Sequence, residues 1–403
     1  MNLIFLTLVH IENVEEHTIY HDLMRKFRDE GHGVYIVSPC ERRMARGTSL
    51  FEDHGVMMLN VKTLNIQKTN VFEKGLGTLL VERQFKKAIE QFLCDVKFDL
   101  ITYSTPPITF TNVVRFLKRN NPKAISFLQL KDVFPQNAVD LGLFGEKSVF
   151  NWFFRRKEIA LYRVSDYIGC MSPANVEYVR KHNLFYPADR VEIAPNSIEL
   201  KMEFSDGAID NSEIYSIRQK YHLPTDIPIF VYGGNIGKPQ GVDFLIQCLE
   251  TNKHRKDCFF LVVGNGTEYQ KLSMWYSNSC AENVRLMAKI SKEDYEMLVK
   301  ACDIGMIFLD HRFSIPNYPS RLLDYLKNKL PVICATDVNT DIGKIAEENG
   351  YGYWCESVKP EDFTALVDKV LASDRKVMGE RGYCYLKNHY LVDNSYETIM
   401  KHL

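Results

Sequence analysis

The chain has 403 residues, with 50 Lys+Arg against 51 Asp+Glu, 45% hydrophobic and 25% charged. That length exceeds the roughly 250–300 residues at which a single hydrophobic core stops growing, so two domains are expected. The balanced charge gives no electrostatic draw for nucleic acid, and no run of about 18 apolar residues is present to span a bilayer. The ten cysteines are scattered singly with no CxxC pair. That pattern predicts small buried thiols in a reducing compartment, with no disulfide framework and no metal site. Met1 to Leu6 enters an apolar strand at once, with neither the basic region nor the small-residue cleavage site of a secretory signal. Together these features predict a cytoplasmic protein.

Taken in chain order, short apolar runs alternate with longer stretches of helical period. Residues 3–8 read as a buried strand, Ile19, Leu23 and Phe27 share one helical face, and Gly31 stops that helix. Val34 to Val37 gives a second strand. Segments 99–104, 125–130, 167–170 and 191–194 give further strands, with helical stretches between them, 79–94 included. Residues 201–227 read as a polar linker followed by a helix, punctuated by Pro224 and Pro228. A second series of strands follows at 228–232, 258–263, 283–287, 303–308, 331–334 and 351–354. The fold class expected is α/β, two Rossmann-like doubly wound parallel-sheet domains over 1–200 and 201–382. Such sheets bind ligands at the carboxyl ends of their strands, so the two sets of ends should face a central cleft.

The most informative stretch is Tyr232-Gly233-Gly234-Asn235-Ile236-Gly237-Lys238-Pro239-Gln240-Gly241, between an apolar run and a helical one. A glycine loop there offers backbone N–H groups and a positive helix terminus to a phosphate, or serves only as a tight turn. Val263-Gly264-Asn265-Gly266 lacks the third glycine of a dinucleotide fingerprint and is a weak sign of NAD. Pro319 suits the first turn of a helix in which Ser320 and Arg321 can hold a diphosphate. Asp324, one turn on, can accept from ribose hydroxyls. In the first half, Lys131 and Asp132 end the strand 125–130, and Thr105 ends the strand 99–104, the positions where ligands bind in this fold. A salt-bridged loop residue is the competing reading of Asp132.

With these motifs in order, the chain resembles glycosyltransferase family 4, within it the bacterial capsule and O-antigen transferases. The resemblance rests on the glycine loop 234–241, Val-Gly-Asn-Gly (263–266), Pro-Ser-Arg-Leu-Leu-Asp-Tyr-Leu (319–326), Lys-Asp-Val-Phe-Pro (131–135) and Ala-Pro-Asn-Ser (194–197). It implies a GT-B architecture and a retaining, metal-independent sugar transfer from a nucleotide-sugar, UDP-linked by default, in surface-polysaccharide biosynthesis. It assigns the donor to Gly234, Asn235, Gly237, Lys238, Gln240, Gly264, Asn265, Ser320, Arg321 and Asp324. Asn235 and Gln240 stand where many members have Arg and Lys, so Lys238 or Arg321 must supply the charge. Asp324 matches the second acid of the family's Glu-x7-Glu motif, whose first acid is replaced by Pro316. Asp132 is the candidate catalytic residue, orienting the acceptor hydroxyl or acting as a weak base.

The family's glycine-rich first loop is here His10 to His17, without a glycine. His10, Glu12 and His17, with Lys131 and Thr105, are the candidate acceptor contacts. The acceptor the resemblance implies is polyprenyl-diphosphate-linked, at the inner membrane face. Trp152, Phe153, Phe154, Arg155 and Arg156 combine aromatics and cations as peripheral interfacial anchors do, and Arg115 to Arg119 extends them. The resemblance also implies a terminal helix over about 383–403 crossing back onto the first domain. Two alternatives stay open, a sugar-nucleotide 2-epimerase of the same architecture and a non-catalytic sugar-nucleotide-binding subunit.

Overall fold

Apolar runs buried on both faces and spaced by crossover-length helices assemble into parallel sheets, and both halves of this chain do so. The computed structural model describes residues 1–66, 71–200 and 211–403. The chain divides into two units, one of 1–199 with 391–403 and one of 200–390. The first unit contains β1 (Asn2–Leu6), β2 (Gly33–Glu41), β3 (Ser49–Asp53), β4 (Val56–Thr63), β5 (Leu100–Ser104), β6 (Ile125–Leu130), β7 (Tyr167–Cys170) and β8 (Val191–Ile193). Their order across the sheet is β3-β4-β2-β1-β5-β6-β7-β8. All pairs are parallel except β3 with β4, a hairpin turning on His54 and Gly55, both at positive φ. Leu3, Phe5, Ile36, Leu100 and Phe127 are buried in its core.

The second unit contains β9 (Ile229–Asn235), β10 (Phe259–Asn265), β11 (Val284–Ala288), β12 (Ile304–Phe308), β13 (Val332–Thr336) and β14 (Gly352–Glu356). They run β11-β10-β9-β12-β13-β14, parallel throughout. Its core joins Phe230, Tyr232, Phe260 and Phe308 to Phe363 and Val367 of the helix Pro360–Leu371.

Every strand expected from the apolar runs is present, and the β3–β4 hairpin is an addition. The expected linker falls on 201–210, outside the described residues. Seven cysteines are buried, but Cys94 and Cys280 are exposed just past the ends of helices and Cys384 is exposed on one, against the expectation of burial. The single terminal helix expected over 383–403 is two helices, Arg375–His389 in the second unit and Val392–Met400 in the first. The chain breaks between them because Leu391 is extended and bridges Ile198, whose carbonyl accepts from the Val392 N–H at 3.1 Å. Tyr396 then packs edge-on against Phe27, and His402 stacks on Tyr167 at 3.6 Å.

Candidate functional site

In the second unit the glycine motif is strand where a loop is expected. β9 runs through Gly233, Gly234 and Asn235, paired rung for rung with Val263, Gly264 and Asn265 of β10. The glycines are needed because the two strand ends crowd: a Cβ on Gly264 would lie 1.9 Å from the Gly234 carbonyl oxygen. Gly234 also takes φ +112, a conformation L side chains rarely adopt. Gly264→Ala is therefore expected to destabilise the second unit by about 1–3 kcal/mol, as overpacking does, read as a lower denaturation midpoint.

The turn beyond β9 is held by its own amides. The Gln240 side-chain oxygen accepts from the Gly237 N–H at 3.2 Å and from Asn235 Nδ2 at 2.9 Å. Asn265 Oδ1 is likewise occupied, accepting from the Gly266 N–H at 2.8 Å. Of the cations expected here, Lys238 is exposed to solvent.

Arg321 differs from all of these. Its guanidinium lies over the buried ring of Tyr232, 4.2 Å from the centroid, with Nη2 3.7 Å from where a Cβ on Gly234 would be. Nη1 is buried with no hydrogen-bond partner. Ser320 precedes the helix Arg321–Lys327 and is exposed, and its side chain caps nothing. Asp324, one turn on, has its carboxyl pushed up to about 6 by burial, against the weaker pull of Lys327, Lys292 and Arg321.

Two tyrosines that sequence reasoning missed complete this floor. Tyr325 accepts from the Gly233 N–H at 3.2 Å. The Tyr295 hydroxyl is buried without a partner and fills the space a Cβ on Gly233 would take, 1.7 Å away. The Gly233-Gly234 doublet was the signal that a side chain packs beneath the strand end.

Pro316, at the position of the missing acid, is buried. Its loop is anchored by Asp337, which accepts from the Asn339 and Thr340 N–H groups and from Thr340 Oγ1 at 2.8–2.9 Å. Thr340 Oγ1 in turn accepts from the Asn317 N–H at 3.0 Å. Asp337, through Thr340, thus ties the loop that leads into Arg321 to the turn after β13.

In the first unit Thr105, Lys131 and Asp132 meet at the carboxyl ends of β5 and β6. Thr105 Oγ1 accepts from the N–H groups of Lys131 and Asp132 at 3.0 and 3.2 Å, so its role is to set their backbone. Burial pushes the Asp132 carboxyl up to about 6, and the bonds it accepts from Asn137 Nδ2, 2.7 Å away, and the Val133 N–H offset only part of this. Burial draws the Lys131 ammonium down to about 7.

The glycine-free loop is held from below. Arg25 donates to the carbonyls of Val14 and Glu16, both at 2.7 Å, and contacts His17 Nδ1 at 2.9 Å. His17, Asp22 and Glu199 cluster within 4.8 Å, and Arg25 bonds Asp22 and Glu199 as well, supplying the positive charge there. His17 is thus part of an internal network. Glu12 pairs with Arg46, and the hydrogen bond from that guanidinium holds its carboxyl below the usual range, while His10 Nδ1 meets the Pro39 carbonyl at 2.8 Å.

The aromatic–basic segment divides. Phe150 and Trp152 are 66% and 58% exposed, with Arg156 stacked on Trp152 at 4.6 Å. Phe154 instead packs on Phe134, Phe144 and Phe153, and Arg155 is held by Glu158 at 2.5 Å. In the suggested extension Leu117 is buried and Lys118 is tied to Asp166. No helix among the described residues is long and apolar enough to cross a membrane.

Residues 213–384, which hold the glycine strand ends, Tyr295, Arg321 and Asp324, match the family described as Glycosyl transferases group 1. Over 335 residues, 79% of each chain, it is 20% identical to the probable glycosyltransferase WbjE of Pseudomonas aeruginosa. It is 23% identical over 159 residues to the putative colanic acid biosynthesis glycosyl transferase WcaI of Escherichia coli K12, covering 40% of this chain and 38% of that one. The structure superposes on HepE of Anabaena, solved in complex with UDP-glucose, with a TM-score of 0.70 at 13% identity, covering 100% and 99% of the two chains. These likenesses give the fold as GT-B, two parallel-sheet α/β domains.

Proposed function

We propose that the protein transfers a sugar, with retention at the anomeric carbon, from a UDP-linked donor to a lipid-linked or oligosaccharide acceptor in bacterial surface-polysaccharide assembly. The observation that carries this reading is Arg321. A guanidinium fixed on Tyr232, with one nitrogen buried and unpartnered beneath the glycine strand end, is a preorganised receptor for a diphosphate. Asp324 lies one turn along to accept from the ribose. The complex of HepE with UDP-glucose supports UDP as the nucleotide.

In the reaction the anomeric carbon–oxygen bond to the diphosphate breaks while the acceptor oxygen bonds to the same carbon on the same face. The acceptor proton passes to the departing diphosphate oxygen, and Arg321 stabilises the negative charge that develops, so no divalent cation is required. Asp132 accepts a hydrogen bond from the acceptor hydroxyl and fixes its direction of attack. Trp152 and Phe150, with Arg156, rest on the inner membrane surface that carries a lipid-linked acceptor.

Incubation with labelled UDP-sugars and acceptor-bearing membranes, with EDTA present, tests this reading. Transfer of label with the donor's anomeric configuration is expected. Formation of an epimerised sugar-nucleotide without transfer, or UDP binding with no turnover, would replace it with the epimerase or the non-catalytic subunit.

A further inference from the structure

We infer that Arg25 is a positioning residue for the loop 10–17, and that it sets this loop by the path the chain takes at Glu199, where it leaves the first unit. That the loop serves the acceptor rests on the transferase reading above; the coupling itself lies within the first unit.

The case begins with a buried cation that holds two separate segments. Arg25, on the helix Ile19–Asp29, is 3% exposed, and a guanidinium is kept inside only where its donors are satisfied. Toward the loop, Nη1 donates to the carbonyls of Val14 and Glu16, and Nη2 meets His17 Nδ1. The same guanidinium donates to Glu199 Oε2, from Nη2 at 3.1 Å and from Nε at 3.4 Å. Asp22, also 3% exposed, completes the tie. One of its oxygens accepts from Arg25 Nη2 at 2.6 Å and the other from the Glu199 backbone N–H at 2.9 Å. Glu199 is therefore held by main chain and side chain together.

Glu199 is the last residue of the first unit before the chain enters the second, and the returning passage is fastened next to it. Leu391 bridges Ile198, and Lys26, beside Arg25 on the same helix, bonds Asp393 at 2.8 Å. Other ties of the loop go elsewhere: the Ile11 N–H to Ser38 of β2, the Val14 N–H to Asp53 of β3, and the Glu15 carboxylate to Arg28. Those three do not reach the boundary. A planar guanidinium bonded to several acceptors in a fixed fork cannot follow one of them without carrying the others. A shift of the chain at Glu199 therefore moves the carbonyls of Val14 and Glu16, and with them the half of the loop that bears His17.

Hydrogen–deuterium exchange of the full chain tests this, on wild type, Glu199→Ala, Glu199→Gln and Arg25→Lys. The Glu199 side chain is 40% exposed, so its truncation opens no buried cavity and the fold is kept, which circular dichroism checks. In Glu199→Ala the amides of Val14, Glu15 and Glu16, bonded to Asp53 and Asn13, are expected to exchange about threefold faster or more, with β1 and β5 unchanged. Glu199→Gln, which keeps an oxygen for Arg25, falls between wild type and Glu199→Ala. Arg25→Lys loses the fork and exchanges at least as fast as Glu199→Ala. Unchanged exchange at 14–16 in Glu199→Ala, or an acceleration spread evenly over the first unit, overturns the inference. In sugar transfer to acceptor-bearing membranes, Glu199→Ala raises the apparent KM for the membranes and leaves UDP affinity unchanged. If wild type transfers no sugar, the transferase reading fails separately, and the exchange rates still decide Arg25.

Discussion

Replacing Asp132 by asparagine is expected to cut turnover by about 10²–10⁴-fold, the range for a positioned acid–base group, while leaving UDP affinity within about twofold. The amide oxygen can still accept from Asn137 Nδ2, 2.7 Å away in the native protein, so the fold around it is kept. What is lost is the carboxylate proposed to accept from the acceptor hydroxyl. The pH profile sharpens the test. Burial raises this carboxyl to about 6, so the proton is held up to that pH and the active carboxylate exists only above it. Turnover at saturating donor should be flat above about pH 7 and fall about tenfold per pH unit below 6. In Asp132→Asn that acid limb disappears from the residual rate. A residual rate with the limb intact would place the titrating group elsewhere.

The second large effect is expected at Arg321. Its alanine variant should weaken UDP binding by about 1.5–3 kcal/mol, some 10–150-fold, the loss typical of a hydrogen bond to a charged group. Lysine keeps the charge but loses the planar contact on Tyr232, 4.2 Å away, and should fall between the two. Asp324→Ala should also weaken UDP, through the ribose. Because burial raises the Asp324 carboxyl to about 6, the carboxylate proposed to accept from ribose hydroxyls is lost as pH falls through 6. UDP affinity in wild type should therefore decline more steeply below pH 6 than in Asp324→Ala, since the terminal phosphate of UDP titrates at about 6 in both. Isothermal titration of the three variants checks both claims, and full-strength binding by Arg321→Ala would remove the anion receptor from the account.

The strand series was legible because parallel strands buried on both faces are written as unbroken apolar runs such as Leu3 to Leu6 or Ile304 to Phe308. β3 was not legible, since Ser49 to Asp53 is half polar and its hairpin turn depends on His54 and Gly55 at positive φ. Gly233, Gly234 and Gly264 misled in the other direction: glycine usually marks a turn, but here it lets two strand ends close on each other. The helix carrying Arg321 and Asp324 was legible, but it begins at Arg321, so Pro319 lies before its N-cap Ser320 and outside the first turn expected for it. Tyr295 was not legible, because a tyrosine in mid-helix is ordinarily core, and only the paired absence of a side chain at Gly233 gives it away. The loop from His10 to His17 hid its own support, since Arg25 reaches it from the following helix.

In the proposed function the 200–390 unit binds a nucleoside diphosphate through Arg321 and Asp324. This is tested most directly by a thermal-shift titration with UDP, GDP, CDP, TDP and ADP, with and without EDTA, on wild type and Asp324→Ala. At a hundredfold excess over Kd a ligand adds about 2.7 kcal/mol, or roughly 5–10 °C for a unit of this size. That shift is expected for UDP, unchanged by EDTA and reduced in Asp324→Ala. Absence of a shift with every nucleotide, or a shift untouched by the substitution, would contradict it.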